Sequence, residues 1–287
     1  MFFVEIGSCD FDTCEELILN NWKGIVVEPV KYYFDKLKKY DNIIYENIAI
    51  SDSKKTLNIH YIDPDYINKN LNNRKWLKGI SCLNGDKGCF RFNHNKKLNI
   101  FKNSLKQEVN CLTLQNLCDK YSINNINFLK IDTEGHDFII LQSLDIKKVN
   151  VDIIKIEHKH SSCDKIFNFL NLNNFYSFIE KDDIYAVNKN LTNFELNHPD
   201  VGDTYSSIDL QNIDFLNISF KINLSDLKKL NIDHLKILKI NQDFDKQEEI
   251  INYLREKKYM VYNIIVSNCK WENSGGMKKD KNIWALK

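Results

Sequence analysis

The sequence predicts an α/β fold built on a mainly parallel sheet with helices on both faces. Three observations carry this expectation. Short apolar runs alternate with stretches of helical period from Met1 to about Asn190, as fully covered strands and their crossover helices require. Glycine or acidic residues stand where apolar runs end, at Gly7, Glu28 and Asp132, which is where open α/β sheets place their ligand-binding turns. At 287 residues the chain can bury a sizeable core without staples, and a smaller module can accompany the first domain.

The elements follow in order. Phe2 to Ile6 is the first strand. Asp12 and Glu15 form a capping box for a first helix on which Cys14, Leu17, Ile18 and Trp22 share a face, and Gly24 ends it. Gly24 to Glu28 is the second strand, Tyr33, Leu37 and Tyr40 mark the second helix, and Ile43 to Ile50 is the third strand. A polar-rich stretch from Asp63 to Lys106 interrupts the alternation. So long a segment inside a compact domain is expected to be functional or ordered as a lid, anchored by Trp76, Gly79 and Ile80. Val109 to Leu112, a helix carrying Leu114, Leu117, Cys118 and Tyr121, and a strand from Asn127 to Asp132 resume the pattern. A helix over Ile139 to Leu144, a strand over Ile153 to Glu157, a helix over Ile166 to Leu170 and an antiparallel pair around Asp182-Asp183 complete a domain spanning residues 1–190.

Beyond residue 190 the order of residues repeats. Asn125 to Ile131 has an echo in Asn212 to Ile218, and Lys147 to Asp152 one in Lys228 to Asp233. A strand from Leu235 to Ile240, a helix carrying Ile250, Ile251 and Leu254, and a strand pair of Tyr259 to Val266 with Ile283 to Leu286 then follow, as in the first copy. Residues 191–287 therefore form an expected C-terminal α/β module, a degenerate partial copy of the catalytic half. Under the shift that aligns Ile131 with Ile218, Asp132 becomes Ser219, Glu134 becomes Lys221 and Gly135 becomes Ile222. The apolar strand is kept and the polar turn is lost, so the module is expected to be non-catalytic.

Composition excludes several classes. Lys and Arg number 40 against 39 Asp and Glu, which gives no general electrostatic reason for a nucleic-acid partner. The eight cysteines are scattered without paired short spacings, as for reduced thiols rather than a zinc site. No apolar run approaches the ~18 residues of a membrane span, and Glu5 interrupts the opening apolar run, so no membrane partner and a cytoplasmic location are expected.

Glu5-Ile6-Gly7-Ser8-Cys9-Asp10 sits where the first strand turns toward the first helix, and Gly7 lets a ligand approach the backbone. Glu28 follows after about 20 residues, a spacing at which an acid can accept both hydroxyls of a ribose. A dinucleotide needs more glycines, and Asp10 and Asp12 would repel its pyrophosphate; a cationic sulfonium cofactor tolerates them. Such an acid can equally be a solvated strand end. The most specific stretch is Lys130-Ile131-Asp132-Thr133-Glu134-Gly135-His136, dense in ionisable groups at a strand-to-helix turn. Asp132, Glu134, His136, Glu157 and His158 are the candidate bases, with Asp132 first. Glu134 is as well read as a helix cap or a partner of Lys130, and a histidine among carboxylates as a structural hydrogen-bonding partner.

This stretch, followed by Ile154-Lys155-Ile156-Glu157-His158 and preceded in order by Val4-Glu5-Ile6-Gly7-Ser8, Val27-Glu28-Pro29 and Asn47-Ile48-Ala49-Ile50-Ser51, resembles the FkbM methyltransferase family over roughly residues 2–189. The resemblance implies a Rossmann-like seven-stranded methyltransferase sheet and S-adenosylmethionine-dependent O-methylation, in many relatives of sugar or polyketide hydroxyls. By it, Glu5, Gly7, Ser8 and Asp10 would hold the methionine part of the cofactor. Glu28, with Pro29 beside it, would hold the ribose, and Asn47 and Ala49 the adenine. Asp132 would stand at the methyl donor, with Glu134, His136 and His158 as further catalytic candidates. No metal is implied, although Asp132, Glu134 and His136 could bind one. The chain departs from the family at Phe11, where a second glycine is usual, and at Gln115, where an acid often follows the Thr-Leu pair.

The expected partner is a small-molecule or glycan acceptor. Two other readings stand beside this one: a non-catalytic Rossmann-like scaffold, and an RNA 2′-O-methyltransferase in which Lys130, Asp132, Lys155 and Glu157 imitate a lysine and acid tetrad. No basic stripe with interleaved aromatics supports the second.

Overall fold

The computed structural model describes residues 1–191 except 12, 71–73, 84–102 and 181, and then 215–218, 224–229, 237–241, 247–257, 260–268 and 278–286. The first part begins β1 (Phe2–Ile6), α1 (Glu15–Leu19), β2 (Lys23–Val27), α2 (Lys31–Phe34), β3 (Ile43–Glu46), β4 (Ala49–Ile50), β5 (Lys55–Ile62) and α3 (Pro64–Asn70). A 3-10 turn (Lys75–Gly79), β6 (Ser81–Leu83), β7 (Ser104–Leu112) and α4 (Leu114–Lys120) follow. Then come β8 (Asn125–Ile131), α5 (Asp137–Gln142), β9 (Asn150–Glu157), α6 (Cys163–Leu172), β10 (Phe175–Glu180) and β11 (Asp183–Asn188).

Seven of these strands form one sheet in the order β10-β11-β9-β8-β1-β2-β3, parallel except for β11, which runs against both neighbours. This is the mainly parallel α/β sheet that the sequence predicted, with the seven Rossmann-like strands that the family resemblance implied. Its central strands are buried on both faces. Val4, Ile6, Leu129, Ile131, Ile154 and Ile156 pack with α4, α5 and α6 on one side, while Phe3, Val26, Phe128, Ile153 and Tyr185 pack with Leu17, Ile18 and Trp22 on the other. Removing that much apolar surface from water is the main term holding the domain together.

Several boundaries differ from expectation, each for a local reason. Helix α1 starts later, after Cys14 with no capping side chain. Glu15 is instead engaged by Lys38 and Tyr40, and Asp12 lies outside the described residues. Asn21, with φ 62°, turns the chain out of the helix, while Gly24 belongs to β2. A Cβ there would meet the Phe3 ring at 2.6 Å. The expected third strand breaks at Asn47, whose side-chain amide donates to the carbonyls of Glu28 and Pro29 at 2.8 and 3.1 Å. Ala49 and Ile50 then leave the large sheet and pair with β7.

Within the interruption between Asp63 and Lys106, the described β6 and the start of β7 belong to a second sheet, β4-β7-β5-β6. Strand β5 was not expected, and β7 begins five residues before Val109. The described part of the segment, Trp76 with Gly79 and Ile80 included, packs on this sheet through Ile62, Ile67, Leu77 and Ile80.

The C-terminal part contains β12 (Phe215–Ile218), α7 (Leu224–Lys229), β13 (Ile237–Asn241), α8 (Gln247–Glu256), β14 (Met260–Asn268) and β15 (Lys278–Leu286). Its sheet order, β12-β13-β15-β14, and its strand senses repeat β8-β9-β11-β10 of the first part. The helices α7 and α8 occupy the places of α5 and α6. The positions that replace Asp132, Glu134 and Gly135 in this copy lie outside the described residues. No helix among the described residues is long and apolar enough to cross a membrane, and the six described cysteines are all free.

Candidate active site

The C-terminal ends of β1, β2, β8 and β9 open into one cleft of about 700 Å³, within the range of about 300–1,000 Å³ common for small-molecule sites. The second sheet and the 3-10 turn form its opposite wall, through Ala49, Ile50, Ile59, Trp76, Gly79 and Leu83.

Gly7 leaves β1 with φ 84°, and its amide donates to the Val27 carbonyl at 3.0 Å. Cys9, with φ 50°, provides the second left-handed position, which explains how the loop turns without the second glycine. Phe11, the residue standing in that glycine's place, packs directly against Gly79, its ring 3.2 Å from where a Cβ would be, and both line the cleft. Glu28 is buried just beyond β2. Its two carboxylate oxygens accept from the amides of Cys9 and Val30 at 2.7 and 2.8 Å. Burial pushes its pKa up to about 7, opposed by those two amides.

Behind this loop runs a polar row across the sheet. Glu5, Lys130 and Lys155 are direct cross-strand neighbours. The Lys130 ammonium lies 3.3 Å from Glu5 and 3.5 Å from Asp132. Burial alone would lower its pKa, but the charges of Asp132 and Glu5 outweigh this and hold it protonated, above the usual lysine value. Lys155 donates to Asp183 at 2.5 Å.

The turn after β8 is held by Asp137, which is fully buried at the start of α5. It accepts from the amides of Thr133 and Gly135, each at 2.8 Å, and from the hydroxyls of Thr133 and Ser161. Glu134 adopts φ 57° and Gly135 φ 113°. A Cβ on Gly135 would lie 3.2 Å from the His160 carbonyl oxygen, so the glycine lets the loop after β9 approach the turn. Glu134 and His160 stand 3.3 Å apart. Burial, then the charges of Asp132 and Asp137, raise the Glu134 pKa. Burial and the same crowd of carboxylates raise that of Glu157. Burial, then the Lys159 charge, lowers that of His160.

Of the residues singled out in the sequence, Gly7, Glu28, Pro29, Ala49, Asp132, Glu134 and His136 line this one cleft, and so does Glu157. His136 Nε2 lies 3.1 Å from the Ser51 hydroxyl. The other predicted site residues are not among its lining residues. Glu5 pairs with Lys130 and accepts from Thr13. The buried Ser8 hydroxyl donates to the Cys9 carbonyl, Asp10 pairs with Lys78, Asn47 holds the backbone of Glu28 and Pro29, and the His158 amide donates to the Asp182 carbonyl. Gln115 accepts from the Asp145 amide and donates to Asp119. Sequence reasoning missed Tyr33, His160 and Asp183, which also line the cleft. Only the alternation His158-Lys159-His160 at a strand end hinted at one of them.

A family model described as "Methyltransferase FkbM domain" matches residues 5–260. The chain belongs to the FkbM methyltransferase family. The FkbM match takes in the large sheet from Glu5 of β1 onward and runs past residue 190 to the first residue of β14. Comparison with curated proteins and with solved structures gave no match. As an FkbM protein the chain is a methyltransferase in general class, and the cleft at the strand ends is where its fold would seat reactants.

Proposed function

We propose that this FkbM protein is an S-adenosylmethionine-dependent O-methyltransferase acting on a hydroxyl of a sugar or other small metabolite. The observation that carries the reading is the convergence of Gly7, Glu28, Asp132 and Glu134 on a single cleft.

The residues present fit the cofactor. Each Glu28 oxygen accepts one backbone amide and keeps a further lone pair for a ribose hydroxyl. The Tyr33 hydroxyl is buried at this end of the cleft with no hydrogen-bond partner among the described residues, a polar group that a ligand would satisfy. Pro29 and Ala49 supply adjoining apolar wall for the adenine. When bound, the cofactor supplies a methyl group on an electrophilic sulfonium.

The chain's own task is then positioning, water exclusion and proton removal. Asp132 stands just beyond β8, its carboxylate steered by Lys130, and would take the proton of the acceptor hydroxyl. The second sheet shields the cleft and shapes the acceptor end together with Trp76 and Lys78. The C-terminal copy is non-catalytic in this reading; its support is that no described cleft residue lies beyond Asp183.

The test is transfer of labelled methyl to a panel of sugars and hydroxylated metabolites, compared with cofactor binding, in Asp132→Asn. Transfer should fall at least a hundredfold while affinity stays within about threefold, the signature of an interaction made in the transition state. Retained transfer, or loss of binding and transfer together, overturns the assignment.

A further inference from the structure

We propose that Glu134, Glu157 and His160 form a binding site for one divalent transition-metal ion, of the Zn²⁺, Mn²⁺ or Co²⁺ kind, at the acceptor end of the cleft. The three side chains come from the turn after β8 (Glu134), the last residue of β9 (Glu157) and the turn that follows it (His160), and each offers a ligand atom within 4.8 Å of the others. All three line the cleft. The His160 to Glu134 separation, 3.3 Å, matches the edge of a tetrahedron with metal bonds of about 2.0–2.1 Å, an edge of about 3.4 Å.

A second observation points to a ligand rather than to an internal ion pair. Oε2 of Glu157 is buried and has no hydrogen-bond partner among the described residues. A buried carboxylate oxygen in that state is costly unless something satisfies it. Of the two lysines that flank it in the chain, Lys155 is in an ion pair with Asp183 and Lys159 in one with Asp182. One imidazole with two carboxylates is a mixed nitrogen and oxygen set, which suits first-row transition metals better than the all-oxygen shells of Ca²⁺ and Mg²⁺.

Three protein ligands leave coordination positions facing the cleft. A hydroxyl bound there would lose its proton more readily. That consequence rests on the methyl-transfer reading above, whereas metal binding itself does not.

The probe is Co²⁺ titrated into the metal-stripped full chain, read by calorimetry and by the cobalt absorption spectrum, with no methyl donor present. The expected result is one ion per chain and a spectrum free of thiolate charge transfer. Glu157→Gln and His160→Gln should each weaken binding at least tenfold with metal-free melting temperatures close to the wild type. Absence of saturable binding, thiolate bands that place the ion on cysteines, or unchanged affinity in both folded variants would overturn the proposal. If either variant fails to fold, the wild-type spectrum decides between nitrogen and oxygen ligation and thiolate or no ligation.

Discussion

A Cβ placed on Gly7 would lie 2.0 Å from the carbonyl oxygen of Asp132. The two cleft-lining turns therefore meet through backbone, and the spacing between the loop after β1 and the turn after β8 depends on the missing side chain. Gly7→Ala must push β1 and β8 apart or distort the loop, and it adds a left-handed penalty of about 1–2 kcal/mol. Urea denaturation should show a loss above about 3 kcal/mol. An alanine variant as stable as the wild type would contradict this contact.

The buried pair of Glu5 and Lys130 is expected to behave as a unit. Lys130→Met leaves a buried carboxylate unpaired and should cost about 3–5 kcal/mol. Adding Glu5→Gln should recover part of that loss, a coupling that a double-mutant cycle measures directly. Strictly additive losses would place the two groups out of contact.

Glu28 makes stability depend on pH with a defined sign. Its ordinary value is 4.5, and burial raises it to about 7 in the folded chain. A raised folded-state value means that the native protein binds the proton more tightly, so the contribution is fully present below about pH 4.5 and is lost as pH rises through about 7. The difference amounts to about 3 kcal/mol. Glu28→Gln should remove this dependence, so the variant gains on the wild type between pH 5 and 8 in parallel denaturation series. A constant difference across that range would refute the shift.

Much of this was legible in the sequence because the signals are local. Strands buried on both faces, such as Asn150–Glu157, read as apolar runs, and turn residues such as Gly7 and Asp132 sit next to them in the chain. Strand β5 carries a different signal from these continuous runs: Leu57, Ile59 and Tyr61 alternate with Thr56, Asn58 and His60, the period of a strand covered on one face, and its pairing with β7 spans about 50 residues of chain. The place of Asp137 was hidden. Its burial comes from folding four donors of the Thr133, Gly135 and Ser161 segments around it, and the Ser161 contact is tertiary. His160 escaped notice for a similar reason, since only Gly135 brings it to Glu134.

Isothermal titration of S-adenosylmethionine into the full chain and into Glu28→Ala tests the central claim most directly. Binding of one cofactor per chain in the wild type, weakened at least tenfold, or by about 1.4 kcal/mol, in the variant is the predicted result. No binding at millimolar cofactor, or equal affinity in the two proteins, would contradict a cofactor site at the ends of β1, β2 and β8.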